Sequence, residues 1–217
     1  MIGVKRSPDA PSVLLTSTAE DRYRHDDVVE CLFEDFHGKC YICEISPVQD
    51  PEVEHLLPHK NGTIPGRKFD WNNLFLCCRH CNIVKNKAKY DGRVIDCCVR
   101  DPEALLEQEL DKDMVCVSAV DKEDSEAVGT AELIEEVFTS SNTGLREHAS
   151  AVRLTKLQEC MNLLYKMIGE YHADPTNLPA KKRIRKMLRK ESKFAGFTRC
   201  FARKKLEDYP ELAPFLD

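Results

Sequence analysis

Two Cys-x-x-Cys pairs, Cys40/Cys43 and Cys78/Cys81, enclose a histidine-bearing stretch, and no other feature restricts the fold as much. Each pair can offer two thiolates from one tight turn, so together they predict a closed zinc site of four cysteines. Cys77 competes by position, but only Cys78 keeps the two-residue spacing to Cys81. The chain has eleven cysteines, an odd number, and its first residues, Met1-Ile2-Gly3-Val4-Lys5-Arg6, lack the apolar segment of a secretion signal. That combination favours metal ligation in a reducing compartment over a disulfide frame. No apolar run approaches bilayer length, so a cytoplasmic protein with no membrane partner is expected.

The pattern of polarity divides the 217 residues into three parts. Residues 1–25, with Pro8, Pro11 and Thr16-Ser17-Thr18, read as extended and loosely ordered. Residues 26–99 form the cysteine-framed module. A helix is predicted from Asp26 to His37 on Val29, Leu32, Phe33 and Phe36, stopped by Gly38. Val53–Leu57 and Leu74–Leu76 read as short strands separated by turns, and Arg79 to about Tyr90 reads as a helix. Residues 100–217 are expected to be mainly α-helical. Residues 101–112 form one predicted helix, opened by Pro102. A longer one, Leu145–Tyr171, carries the stripe Leu145, Ala149, Val152, Leu157, Met161, Leu164 and Ile168. Asp121–Thr130 between them reads as an acidic connection. The expected class is α+β, a zinc-stabilised ββα module followed by a helical region.

The net charge of −5 conceals two opposed blocks. Residues 181–205 hold twelve Lys or Arg against Glu191 alone, and residues 101–136 hold thirteen acids against Lys112 and Lys122. The basic block suits phosphate contacts, a solvated helix face, or pairing with the acidic block in the same chain or a partner. Its Ile184, Leu188, Phe194, Phe197 and Phe201 are the expected buried side.

Between the cysteine pairs run Glu54-His55-x-x-Pro58-His59 and Asn72-Asn73-Leu74, and Cys81-Asn82-x-x-Lys85 closes the series. Phosphodiester hydrolysis needs a nucleophilic water, a Lewis acid and groups that hold the phosphate in line. A near-neutral imidazole can take the water's proton. A carboxylate and an amide oxygen are hard ligands suited to Mg²⁺, and a lysine one turn beyond the amide can meet a phosphate oxygen. Singly, these residues would be a satisfied histidine, a solvated charge and turn or cap residues. Their order inside a cysteine frame is what points to chemistry.

From Lys39 to about Lys87 the residues resemble the HNH endonuclease family. The resemblance implies a ββα-metal fold in which His55 is the general base and Asn73 braces the loop that orients it. It implies that Glu54 and Asn82 bind a catalytic Mg²⁺ or Mn²⁺, while Cys40, Cys43, Cys78 and Cys81 hold structural zinc. Lys85 and Lys87 become nucleic-acid contacts, and the substrate DNA or structured RNA. His59 has no fixed place in the pattern: a partner to His55, an extra ligand or a phosphate contact. Val53-Glu54-His55-x-x-Pro58, the Asp70-Trp71-Asn72-Asn73-Leu74 approach and a helical second half further resemble PtuB-type nucleases of Septu and retron antiphage systems. That implies a toxic effector held by a PtuA-type ATPase, in retron versions with a reverse transcriptase and its RNA–DNA hybrid. The competing reading is a non-catalytic zinc module that docks on nucleic acid or a partner.

Overall fold

The computed structural model describes residues 1–216. Helix α1 (Val13–Thr16) is a single turn, and α2 (Asp26–Asp35) starts where the His25 ring accepts the Asp27 amide. Val28 and Leu32 on α2, and Phe36 just past its end, are buried. Beyond it, Gly38 at φ 61° donates to the Phe33 carbonyl, a left-handed close that a side chain would resist. The cysteine knuckle follows, then β1 (Pro51–His55) and the one-turn α3 (Pro65–Lys68).

Strand β2 (Leu74–Cys78) pairs antiparallel with β1, setting Glu54 opposite Phe75 and His55 opposite Leu74. Helix α4 (Arg79–Lys85) follows at once and packs on both strands. The expected strand–strand–helix order is present, with a shorter helix: it ends at Lys85, and a separate 3₁₀ turn covers Ala88–Tyr90.

Residues 1–25 are not loosely ordered. Met1, Ile2 and Leu14 are buried, and the Arg6 guanidinium lies over the Trp71 and Phe75 rings. Arg6 also donates to the Trp71 and Leu74 carbonyls at 3.0 and 2.8 Å. The prolines set an extended path, and packing holds that path in place.

Two further expectations fail after residue 100. Pro102 does open a helix, but α5 (Pro102–Leu105) lasts one turn and gives way to the hairpin β3 (Leu106–Asp111) and β4 (Met114–Ala119). Burial alternates along it: Leu106, Gln108, Val115, Val117 and Ala119 point in, while Met114 and Cys116 point out. Instead of an acidic connection there is α6 (Ser125–Thr139), capped by the Asp124 carboxylate, which accepts the Glu126 and Ala127 amides. Ala127, Ala131, Ile134 and Phe138 form its buried stripe. Gly129 lets α6 lie against the Arg93 backbone, since a Cβ there would overlap the Arg93 carbonyl oxygen.

Helix α7 (Gly144–Ala173) is long as expected, and its stripe holds from Leu157 to Ile168 but shifts in the first turns, where Ala149 is only half-buried. Leu145 and Val152 are exposed, and Ser150, Arg153, Leu157, Met161, Leu164 and Ile168 are buried. Helices α8 (Leu178–Met187) and α9 (Ala195–Lys204) complete an α+β fold with two small antiparallel sheets. Ile184, Leu188, Phe194 and Phe197 are buried as expected, with Phe201 partly so. One apolar cluster runs from Leu32 through Leu76 and Ile95 to Leu133, Leu164 and Leu188, so the stretches before and after residue 100 share a core. The two charge blocks meet within the chain. Glu103 takes Lys190, Arg199 and Arg203, while Glu107 and Glu109 take Lys204. Among the described residues no helix is long and apolar enough to cross a membrane.

Candidate metal centre and active site

The knuckle after α2 and the β2–α4 junction bring Cys40, Cys43, Cys78 and Cys81 together, all buried, with sulfurs within 4.8 Å of one another. Four sulfurs about 2.3 Å from a tetrahedral Zn²⁺ lie roughly 3.8 Å apart, and Cys43 and Cys78 are separated by 4.0 Å. The donor set fits structural zinc: four enclosed thiols and no open position for water. Cys77 reaches 3.9 Å from Cys40 but stands outside the mutually close four.

A cation from the helical half meets this group. Arg153 on α7 donates from Nη2 to Cys78 Sγ at 3.1 Å and from Nη1 to the Ala149 carbonyl at 2.7 Å. A Zn²⁺ bound by four thiolates carries net negative charge, and a buried guanidinium offsets it. Beside it, burial and the Arg153 charge push His80 down to about 4, so the ring is neutral. His80 Nε2 lies 2.9 Å from the Val137 carbonyl and therefore carries the proton.

On the open side of the same strands lies a cavity of about 290 Å³, lined among others by Glu54, His55, His59, Asn82 and Lys85. His55 Nε2 is 3.0 Å from the Lys68 carbonyl, which accepts only, so Nε2 bears the proton and Nδ1 keeps its lone pair. Burial holds its pKa below the usual range, against the raising effect of that bond, and so keeps the ring neutral. Tyr23 meets the ring edge-on, with centroids 4.9 Å apart.

His59 packs 4.5 Å from His55, ring to ring, and its Nδ1 accepts the Gly62 amide at 2.9 Å. Its free nitrogen is then a donor, which suits a phosphate contact better than a metal bond. Asn73 is buried away from the cavity. Its Oδ1 accepts the Leu57 amide at 2.7 Å, and its Nδ2 donates to the Leu57 and Arg67 carbonyls at 2.9 and 2.8 Å. Three bonds from one amide tie the end of β1 to α3, whose Lys68 carbonyl holds His55.

Comparison with protein-family models, with curated proteins and with solved structures finds no match.

Glu54 is 5% exposed and engaged on both oxygens, with Lys85 Nζ at 2.6 Å and the Tyr41 hydroxyl at 2.7 Å. The Lys85 ammonium also donates to the His55 and Leu56 carbonyls at 3.1 and 3.0 Å. All three of its donors are used inward, so the expected phosphate contact through Lys85 is not made. Lys87 is likewise drawn to Glu136 on α6. Asn82 donates from Nδ2 to Glu52 at 2.5 Å, leaving its Oδ1 as an acceptor. Tyr41, Tyr23 and Arg153 carried no signal at sequence level: each acquires its place through a partner distant in the chain.

Proposed function

We propose that the protein is a metal-dependent nuclease of the HNH type that hydrolyses phosphodiester bonds in DNA or structured RNA. The observation that carries this reading is one cavity where a neutral His55, with its proton placed on Nε2, faces the same space as Glu54, Asn82 and His59.

The donor chemistry fits a hard divalent cation. Each Glu54 oxygen accepts one hydrogen bond and keeps a further lone pair, and the Asn82 amide oxygen is a second hard donor. Bound there, Mg²⁺ or Mn²⁺ would supply Lewis acidity to the scissile phosphate and its leaving oxygen. The chain's own residues do the rest. His55 Nδ1 takes the proton of the attacking water while the Lys68 carbonyl keeps the ring oriented. Asn73 fixes the loop on which that carbonyl stands. The His59 donor is available to a non-bridging phosphate oxygen. Lys85 and Tyr41 hold the Glu54 carboxylate in one rotamer. Loss of the 3′ oxygen as leaving group leaves a 5′ phosphate on the product.

The resemblance to PtuB-type nucleases extends the proposal to an antiviral effector that assembles with a PtuA-type ATPase. Copurification of that ATPase with the native protein is the expected result. A second reading, a non-catalytic zinc module, draws on the ion pair by which Lys85 already neutralises Glu54. Cleavage by zinc-loaded protein with Mg²⁺ or Mn²⁺ separates the two. The nuclease reading predicts that His55→Ala lowers the rate about 100- to 10,000-fold with zinc retained. Cleavage that persists unchanged in His55→Ala overturns the His55 mechanism, and none by the wild type on any nucleic acid favours the second reading.

A further inference from the structure

Of the twelve cations of residues 181–205, five form ion pairs and seven form none among the described residues. Lys190, Arg199, Arg203, Lys204 and Lys205 are absorbed by Glu103, Glu107, Glu109 and Asp208. Arg183, Lys186, Arg189 and Lys193 form no ion pair among the described residues. These four exposed side chains line one cavity of about 760 Å³ between α7, α8 and the link to α9. Leu163 and Met187 contribute apolar lining, and Glu159 and Glu191 are the opposing charges.

One wall of this cavity, the link between α8 and α9, is anchored through its backbone. Buried Lys39, at the knuckle, donates to the Lys190 and Ser192 carbonyls at 2.5 and 3.1 Å. Glu44, between Lys39 and the Met1 amine, accepts the Gly196 amide at 2.8 Å. The same anchoring carries the cavity's Ser46 beside the α8–α9 link. Four unpaired cations around a concavity whose backbone is anchored, against two acids, give it a net positive lining suited to an anion.

We propose that this cavity binds the phosphate backbone of a nucleic-acid strand, as a holding site separate from the His55 cavity. That the strand is the protein's substrate rests on the nuclease reading. The lining holds no aromatic side chain on which bases would stack, so recognition runs through phosphates and is independent of sequence. Free nucleotides offer the same chemistry. The strand is favoured because four cations can engage successive phosphates.

The test is anisotropy of a fluorescein-labelled 20-nucleotide single strand with the full-length, zinc-loaded His55→Ala protein, without added divalent cation, so that no cleavage enters. Removing two phosphate-contacting cations should weaken binding severalfold and flatten the salt dependence by about 0.7 per residue. Arg183→Gln/Lys186→Gln should do this, and Lys112→Gln/Lys122→Gln should not. All positions are exposed; if the double variant melts early, Lys193→Gln alone is expected to show half of the change in slope. Equal loss in the control pair, or an unchanged affinity and slope, overturns the proposal. So does saturable calorimetric binding of ATP that disappears in the variant while strand binding stays. Binding that behaves as expected in a protein that cuts nothing upholds the holding site and removes only the nuclease reading.

Discussion

The four cysteine sulfurs and the His55 cavity are built on the same strand pair and helix, yet solvent reaches only the second. Around the sulfurs every ligand is buried, and the one polar neighbour from the second half, Arg153, is a cation that arrives from α7. Around His55 the groups are held from behind, by Lys68, Asn73, Tyr41 and Lys85, and face an opening. On the proposed reading the closed cluster serves stability and the open one chemistry, and substitutions should separate the two.

The strongest way to break that division is at the sulfurs. Cys78→Ser should abolish metal retention and cooperative unfolding of the module, because a structural zinc contributes folding free energy directly. Cys77→Ser, one residue away, should leave both intact; circular-dichroism melts check the pair. Next comes the backing of the open site. Lys85→Met strands the Glu54 carboxylate at 5% exposure, and removing one partner of a buried ion pair costs about 3–5 kcal/mol. Denaturant unfolding should show it. Lys85→Met/Glu54→Leu should recover most of that loss without recovering cleavage.

Arg153→Met should cost about 2 kcal/mol, the scale of a hydrogen bond to a charged group, and should speed zinc loss to a chelator. A loss of stability with unchanged zinc release would mean that Arg153 packs α7 without serving the metal site. The smallest effect belongs to Glu136, which joins α6 to the segment after α4. Burial alone would raise its pKa, but Lys87, Lys89 and Tyr90 overcome this and lower it to about 2. A depressed carboxylate pKa adds stability above about pH 4.5 that fades as pH falls toward 2. With partly exposed lysines the contribution is about 1 kcal/mol, and Glu136→Gln should remove that pH-dependent share in acid unfolding curves.

The same contrast decides which features are legible in the sequence. Zinc-ligand spacing is local, so Cys40, Cys43, Cys78 and Cys81 were legible, as were the strand–strand–helix order and the length of α7. The hairpin at Leu106–Ala119 and helix α6 were hidden by their acids. The charges of Glu107, Glu109 and Asp111 drew attention from the alternation of Leu106, Gln108 and Leu110, and those of Glu132, Glu135 and Glu136 from an apolar stripe at helical spacing. The inward turn of Lys85 and the arrival of Arg153 at Cys78 depend on contacts between distant segments. No local pattern encodes them.

Metal content of the purified full-length chain tests the central claim most directly. One zinc per chain is expected in the wild type and in His55→Ala, and none in Cys78→Ser. A wild-type protein that folds cooperatively with no bound metal would contradict it.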